Sequence, residues 1–341
     1  MKAIKFFAIT AMAAAMITSC STDDELSQSN YPSDNIIRVT AGVNNAKTRA
    51  DGQGVSAMDK DFSLTVVNKN TESTLPSKYT YIDKVFSKKS GDWACSETLL
   101  WQNSTTPVDI VAFAPAQTGK FNGVYANGSI QPIAYSVADD QSEKSDNNDL
   151  LYYYAKDFNP GKGLVDKKLS IQFNHAFCMI DINVTLGTEF NKPKVLDDSP
   201  IVKVTLGGTK IAANVDVKNA ATGSTTTTAS VVTASETAAA TDITTTKGTF
   251  DKAANAEANA KSCFSCIAIP QTVAANTFKV SLMTAGKRYE WTSAEPVELK
   301  SGYRYTLELS MGNNVVLLKG GSISASPWTE GDTGDKPLET D

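Results

Sequence analysis

The longest regular pattern in the chain is an alternation of apolar and polar residues over positions 169–186. Alternation with a period of two is typical of a β-strand that buries one face. The apolar residues stand at odd positions up to Phe177 and at even positions from Ile180 onward. Because a strand exchanges its faces only where an extra residue is inserted, we predict a bulge or a sheet-switching corner at residues 177–179.

Shorter stretches with strand character recur along the chain, and turn-forming residues separate them. They lie at 36–43, 62–67, 79–86, 108–114, 130–137, 150–155, 202–206, 211–217, 263–269, 278–283, 288–291, 303–309 and 315–319. No apolar stripe of useful length has the helical period. Many short strands between turns predict an all-β protein built from sandwiches. The Thr/Ser/Ala-rich tract 221–248 predicts a solvated loop or a weak edge hairpin.

The chain is long enough for two domains, since the part after residue 49 is about twice a typical domain of roughly 150 residues. Asn159, Pro160, Gly161 and Gly163 gather turn formers at one point. We therefore predict an N-terminal β-sandwich domain at 36–163 and a C-terminal one at 164–341.

Residues 1–19 begin with Lys2 and Lys5 and continue with a short apolar run and small residues, which predicts a secretory signal peptide. The run is too short to span a bilayer. Cys20 follows Ile-Thr-Ser and resembles the cysteine of a bacterial lipobox, which becomes the first mature residue and carries diacylglycerol. The alternative is an ordinary signal peptide in which Cys20 is incidental. Residues 20–35 are polar and acidic at first, which predicts a flexible tether.

The first predicted strand, 36–43, places Ile37, Val39, Ala41 and Val43 on one face opposite polar residues. This pattern predicts a half-buried antiparallel strand. Three of the four side chains are sizeable, and at about 1.5–3 kcal/mol per buried aliphatic the strand is worth on the order of 5–9 kcal/mol. A polar loop with an exposed Arg49 follows it.

The charge and the cysteines exclude two classes of protein. The formal net charge is −5, so no basic face for nucleic acid is implied. Besides Cys20 the chain has four thiols, too few to form the disulfide framework of a small secreted domain: Cys95, Cys178, Cys263 and Cys266. Its core must therefore be held by burial.

No pattern marks an enzyme. His175 is the only histidine, and we interpret it as a core residue bonded to the backbone. Cys263 and Cys266 have metal-ligand spacing, but no second such pair exists and residues three apart in a strand face opposite ways, so we interpret them as two buried small residues. A tryptophan is able to stack on sugar rings, but we interpret all four as packing residues: Trp93, Trp101, Trp291 and Trp328. We expect no cofactor and no metal.

The order of several segments resembles the fimbrillin family, the type V pilin subunits of Bacteroidales. These are the cysteine at 20, the first strand at 36–43, and the segments 47–50, 108–115, 149–155, 169–175, 301–307 and 326–330. Cys178, Met179 and Ile180 depart from the small and basic residues usual at that point in the family. The Thr-rich tract is also unusual.

The resemblance implies two tandem transthyretin-like Greek-key β-sandwiches on the outer surface of the cell. It also implies that an arginine-specific protease cuts the lipidated precursor between Arg49 and Ala50 and removes the first strand. A trimmed subunit would have an open apolar groove beside unpaired backbone and would accept a strand from a neighbour. The C-terminal end, residues 315–325, is the natural donor through its apolar residues: Val315, Val316, Leu317, Leu318 and Ile323.

The sequence thus predicts a structural fimbrial subunit whose partners are other subunits, an outer-membrane lipid anchor and the protease. The alternative interpretation of Arg49 is a solvated charge in a loop, with no role in processing. The competing function is a monomeric surface lipoprotein or a fimbrial tip adhesin that holds glycan or host protein through its loops. An enzyme is the third option.

Overall fold

The computed structural model describes residues 30–44, 55–72, 74–220, 230–319 and 323–328. These residues confirm the all-β class. Strands β1 to β11 are Val39–Asn44, Val55–Ala57, Phe62–Asn68, Tyr81–Lys89, Asp92–Cys95, Val108–Ala114, Tyr125–Ala126, Ser129–Ile130, Ile133–Ser136, Leu151–Phe158 and Leu169–His175. Strands β12 to β25 are Cys178–Leu186, Ile201–Gly207, Ala212–Val215, Val232–Ala234, Ile243–Thr244, Thr246–Asp251, Ala260–Ala268, Gln271–Val273, Lys279–Thr284, Arg288–Thr292, Val297–Leu299, Tyr303–Met311, Val316–Leu318 and Ser324–Pro327.

The helices of the described residues are single turns between strands. Two are α-helical, α1 (Leu75–Lys78) and α2 (Pro160–Gly163). Proline stands in the first turn of each, where its missing N–H costs nothing. The 3₁₀ turns are Asn122–Val124, Asp146–Asn148, Thr188–Asn191 and Val217–Asn219.

Two large sheets carry most of the structure. The eight-stranded sheet has the order β2-β1-β11-β10-β6-β3-β4-β5. The six-stranded sheet has the order β17-β18-β12-β23-β24, and β25 also pairs with β23. A four-stranded sheet, β16-β13-β20-β21, and a three-stranded sheet, β15-β14-β9, complete the larger layers.

The eight-stranded sheet lies between two hydrophobic cores. Ile110 and Ala112 of β6 face a smaller core, which also contains Phe62 and Phe173. Phe113 of the same strand faces a larger core, which the residues of the six- and four-stranded sheets also line. β6 is therefore buried on both faces, which explains its nearly continuous apolar sequence.

The chain changes sheets at Ala176 and Phe177, both of which are fully buried. β11 pairs with β1 and β10 in the eight-stranded sheet, whereas β12 pairs with β18 and β23 in the six-stranded sheet. The crossing lies at the phase reversal where the sequence predicts a corner. The predicted domain boundary falls after residue 163, ahead of β11, yet β11 completes the first sheet. The division into two tandem domains stays a prediction.

The first strand corrects the predicted direction of pairing. It begins at Val39 rather than at Ile36, which forms an isolated bridge with Leu100. β1 runs parallel to β11 and is antiparallel only to β2, over its last three residues. Alternation reports which face of a strand is buried and carries no information about the direction of its neighbour.

The described part of the Thr/Ser/Ala tract contains short strands at sheet edges, as the predicted edge hairpin implies, but they pair with β14, β13 and β18 and not with one another. Residues 221–229 of the tract lie outside the described part of the chain. The remainder contains β15, β16 and the start of β17, and Val232 and Ile243 are buried in the larger core. Two apolar anchors are enough to fix short strands in a tract whose average composition is that of a loop.

Gly208 offers a test of how closely the chain after β13 packs against Thr277, with Gly91 as a matched control. Both have positive φ, +86° and +98°, which costs an L-residue about 1–2 kcal/mol. A Cβ on Gly208 would overlap the main-chain carbonyl of Thr277, whereas one on Gly91 meets nothing within 4 Å. We expect Gly208→Ala to lower the free energy of unfolding by about 1–3 kcal/mol more than Gly91→Ala. Denaturant titration measures both, and equal losses would contradict the packing at Gly208.

Candidate assembly site: the first strand and the C-terminal segment

Main-chain hydrogen bonds attach β1 to the sheet along its whole length. Its partners on β11 run from Val39 opposite Leu169 to Val43 opposite Phe173. Just before the strand, the Ile37 N–H donates to the Leu99 carbonyl at 2.8 Å. β1 thus covers the edge of β11, which without it would expose unpaired N–H and C=O groups.

The side chains of β1 fill part of the smaller core. Ile37, Val39 and Val43 are 5%, 3% and 1% exposed, and Ala41 is half-buried against the same core. The opposite face is polar, and Thr40 is exposed there. Removing the strand would therefore leave both an open edge and an apolar groove.

Within residues 30–44, the described part of the chain around β1, the ion pair of Arg38 with Asp34 is internal. Arg38 donates two hydrogen bonds to Asp34, at 2.9 and 2.6 Å, and holds the pKa of that carboxyl well below its usual range. Both residues belong to the piece that contains β1, so the pair does not attach this piece to the rest of the protein. Among the described side chains, Asn44 makes a polar link across the boundary, with its amide 2.9 Å from that of Asn174.

We define the C-terminal segment as residues 315–319 and 323–328. Both of its strands run antiparallel to β23, on the edge opposite β12. β24 covers the end of β23, with Leu318 opposite Leu309, and β25 covers its beginning, with Pro327 opposite Tyr303. The segment therefore caps an edge, as β1 does in the other sheet.

The side chains of the C-terminal segment are much less buried than those of β1. Val316 is 7% exposed, and Leu318 and Ile323 are half-buried against the larger core. Val315 and Leu317 are 49% and 58% exposed, although both are apolar. All four residues of β25 are exposed. Main-chain pairing thus provides much of what holds this segment.

Trp328, at the end of the segment, is buried against His175 at the sheet-switching corner. The two rings stack with their centroids 3.8 Å apart and their planes at 14°. His175 Nδ1 lies 3.0 Å from Asp149 Oδ1, and its side chain is 2% exposed. The sequence interpretation of His175 as a core residue holds, but its partner is a carboxylate and not the backbone. No local pattern links these three residues, because they come from distant parts of the chain.

The four cysteines in the described part of the chain are free thiols. Cys178 and Cys266 are fully buried, and burial raises the pKa of both thiols far above the usual range. Cys263 is half-buried on the opposite face of β18 from Cys266, and Cys95 is also half-buried. In the described ranges, no three His, Cys, Asp or Glu side chains come close enough to hold a metal ion.

The tryptophans pack within the protein. Trp101 is buried and stacks on Phe158 at 6.1 Å. Trp93 contacts Phe62 edge to face at 4.9 Å, and Trp291 contacts Phe278 in the same way at 6.4 Å. None of these contacts resembles an open platform for a sugar ring.

Three predicted site residues, Cys20, Arg49 and Ala50, lie outside the described residues. In the part of the chain that the structure covers, no helix is both long and apolar enough to cross a membrane.

Comparison with solved structures finds a similar fold in cell adhesion and fimbrial proteins of Bacteroides. A candidate cell adhesion protein from Bacteroides ovatus superimposes with a TM-score of 0.57 at 16% identity, covering 86% of this chain and 97% of that one. A candidate cell adhesion protein from Bacteroides uniformis gives 0.53 at 13% identity, with 87% and 100% covered. A fimbrial protein from Bacteroides vulgatus gives 0.53 at 14% identity, with 86% and 99% covered. At these identities the likeness concerns the fold alone.

Comparison with curated proteins finds no match. A family model described as fimbrillin-like, however, matches residues 48–328, which is most of the chain. This chain therefore belongs to the fimbrillin-like family.

Proposed function

We propose that this protein is a structural subunit of a cell-surface fimbria, exported as a lipoprotein through Cys20 and polymerised by donor-strand exchange. A cut between Arg49 and Ala50 would separate β1 from the rest of the chain. The trimmed subunit would then accept the C-terminal segment of a neighbour, through residues 315–325, in place of β1. Membership of the fimbrillin-like family and the fold shared with a fimbrial protein support a structural role in a fimbria.

One observation carries the proposal: β1 fills core positions, and its covalent link to the strands that follow runs through residues 45–54, which contain Arg49. After a cut there, β1 would be held by main-chain pairing and by the burial of Ile37, Val39 and Val43. At about 1.5–3 kcal/mol each, the three side chains contribute on the order of 5–9 kcal/mol. The total stability of a domain is about 5–15 kcal/mol. A subunit without β1 is therefore strongly driven to fill the groove again.

The C-terminal segment has the properties that a replacement strand needs. Val315 and Leu317 are two residues apart, the same period that places Val39, Ala41 and Val43 on one face of β1. In the monomer both side chains are exposed. Insertion into the groove of a neighbour would bury them and would also pair the free edge of β11. In its own subunit the segment buries Val316 and Trp328 but leaves Val315, Leu317 and the side chains of β25 exposed, so insertion into a neighbour would gain burial that the monomer does not provide.

The proposed cut is tested by Arg49→Lys, which keeps the charge but replaces the planar guanidinium that an arginine-specific protease recognises. We expect the N-terminus at Ala50 to disappear from surface-purified protein and denaturant-resistant ladders to disappear from gels. Lys47→Ala, two residues upstream, is the matched control and should leave both unchanged. Undiminished ladders in Arg49→Lys would contradict the proposed processing step.

The donor role is tested by Leu317→Asp. Leu317 is exposed in the monomer, so the free energy of unfolding of the untrimmed protein should change by no more than about 0.5 kcal/mol. In the groove of a neighbour the carboxylate would be buried without a partner, which costs several kcal/mol. We therefore expect at least a tenfold loss of polymer, roughly the effect of 1.4 kcal/mol.

Val202→Asp is the control for that experiment, because Val202 is equally apolar and 63% exposed but lies on β13, away from the C-terminal segment. It should leave polymerisation unchanged. Equal polymer yields from Leu317→Asp and the unaltered protein would contradict the donor role and favour a monomeric surface protein.

A further inference from the structure

We infer that the stack of Trp328 on His175 is a clasp that holds the C-terminal segment on β23 and sets how often the segment leaves it. The link from this clasp to assembly rests on the proposed function, in which that segment is the donor. The clasp itself does not depend on that function, since it concerns a contact within one subunit.

The position of Trp328 makes it the anchor of β25. The four residues of β25 expose their side chains, so they add main-chain pairing and little burial. Trp328 follows directly and is only 9% exposed. The main-chain N–H of Trp328 donates to the Gly302 carbonyl at 2.7 Å, and the main-chain N–H of Gly302 donates to the Phe177 carbonyl at 2.9 Å. The end of the segment is therefore attached to the corner where the chain changes sheets.

His175 is held so that it presents a flat ring to Trp328. Asp149 lies two residues before the start of β10, and its Oδ1 is 3.0 Å from His175 Nδ1, a contact that fixes the imidazole. Within the described residues, the buried Nε2 has no hydrogen-bond partner. The orientation of the ring therefore depends on Asp149 and on the stack, and the stack also shields the ring from water.

Opening of the segment would break these contacts together. The indole ring of Trp328 would leave the imidazole of His175, and the main-chain N–H of Trp328 would lose its hydrogen bond to the Gly302 carbonyl. The first half of β23 would also lose its pairing with β25. Because local opening is governed by the contacts that it breaks, truncating one large contact raises the open population. A closed clasp would keep the donor on its own subunit until the groove of a neighbour is available.

The clasp is tested by hydrogen exchange on monomeric protein, with Arg49→Lys as the background that prevents trimming. We expect Trp328→Ala to speed exchange of the amides of β25 and of residues 303–306 by at least about tenfold, since the opening loses its main side-chain contact. Trp328→Phe keeps a ring for stacking, so its exchange rates should lie between those of Trp328→Ala and of the protein with Trp328 intact. Trp291→Ala, a half-buried tryptophan packed on Phe278 and away from β25, is the matched control and should leave these amides unchanged.

Unchanged exchange in Trp328→Ala, or the same acceleration in Trp291→Ala, would overturn the inference. The link to assembly is read separately, by light scattering after trimming of protein with Arg49 intact. Faster polymerisation of Trp328→Ala supports it, and loss of polymer would show instead that Trp328 acts as part of the donor. If no variant polymerises while Trp328→Ala still exchanges faster, the clasp stands and the proposed function fails.

Discussion

The structure depends on covering strand edges, because an exposed edge presents a row of unpaired N–H and C=O groups that will pair with another chain. Two edges are covered by short pieces that lie near the ends of the described chain. β1 covers β11 in the eight-stranded sheet, and the C-terminal segment covers β23 in the six-stranded sheet. Each piece is replaceable in principle, because main-chain pairing does not depend on the identity of the side chains.

The two covering pieces differ in what they bury. β1 places Ile37, Val39 and Val43 in the smaller core, whereas the C-terminal segment buries mainly Val316 and Trp328. Loss of β1 would therefore open the smaller core along its length, whereas departure of the C-terminal segment would free an edge and expose the two positions that Val316 and Trp328 cover. The proposed function rests on this asymmetry: it takes the groove that β1 would leave as the acceptor, and the piece whose apolar residues are exposed in the monomer as the donor.

The sequence reveals those features that local patterns encode. The buried face of β1 follows from the alternation at 37, 39, 41 and 43, and the corner after His175 follows from the reversal of phase between Phe177 and Ile180. Partners distant in sequence are not encoded in this way. The parallel pairing of β1 with β11 and the contact of His175 with Trp328 join residues far apart in the chain, so no window of sequence contains the signal.

The sequence leaves open whether the polar tract forms a loop or an edge hairpin for a related reason. Composition averages over a segment, whereas Val232 and Ile243 act singly, each by entering the larger core. The same limit applies to Asp149, whose role depends on its distance from His175 and not on its neighbours in sequence.

The arrangement of the two cores limits the damage that loss of β1 would cause. The larger core contains residues from both parts of the chain, including Phe113 and Phe121 before the corner and Ile180 and Leu307 after it. In addition, β9 pairs with β14 in the three-stranded sheet and so joins the two parts by main-chain hydrogen bonds. None of these contacts involves β1. A trimmed subunit should therefore keep its larger core and expose a single groove, which is the condition for specific strand exchange instead of general aggregation.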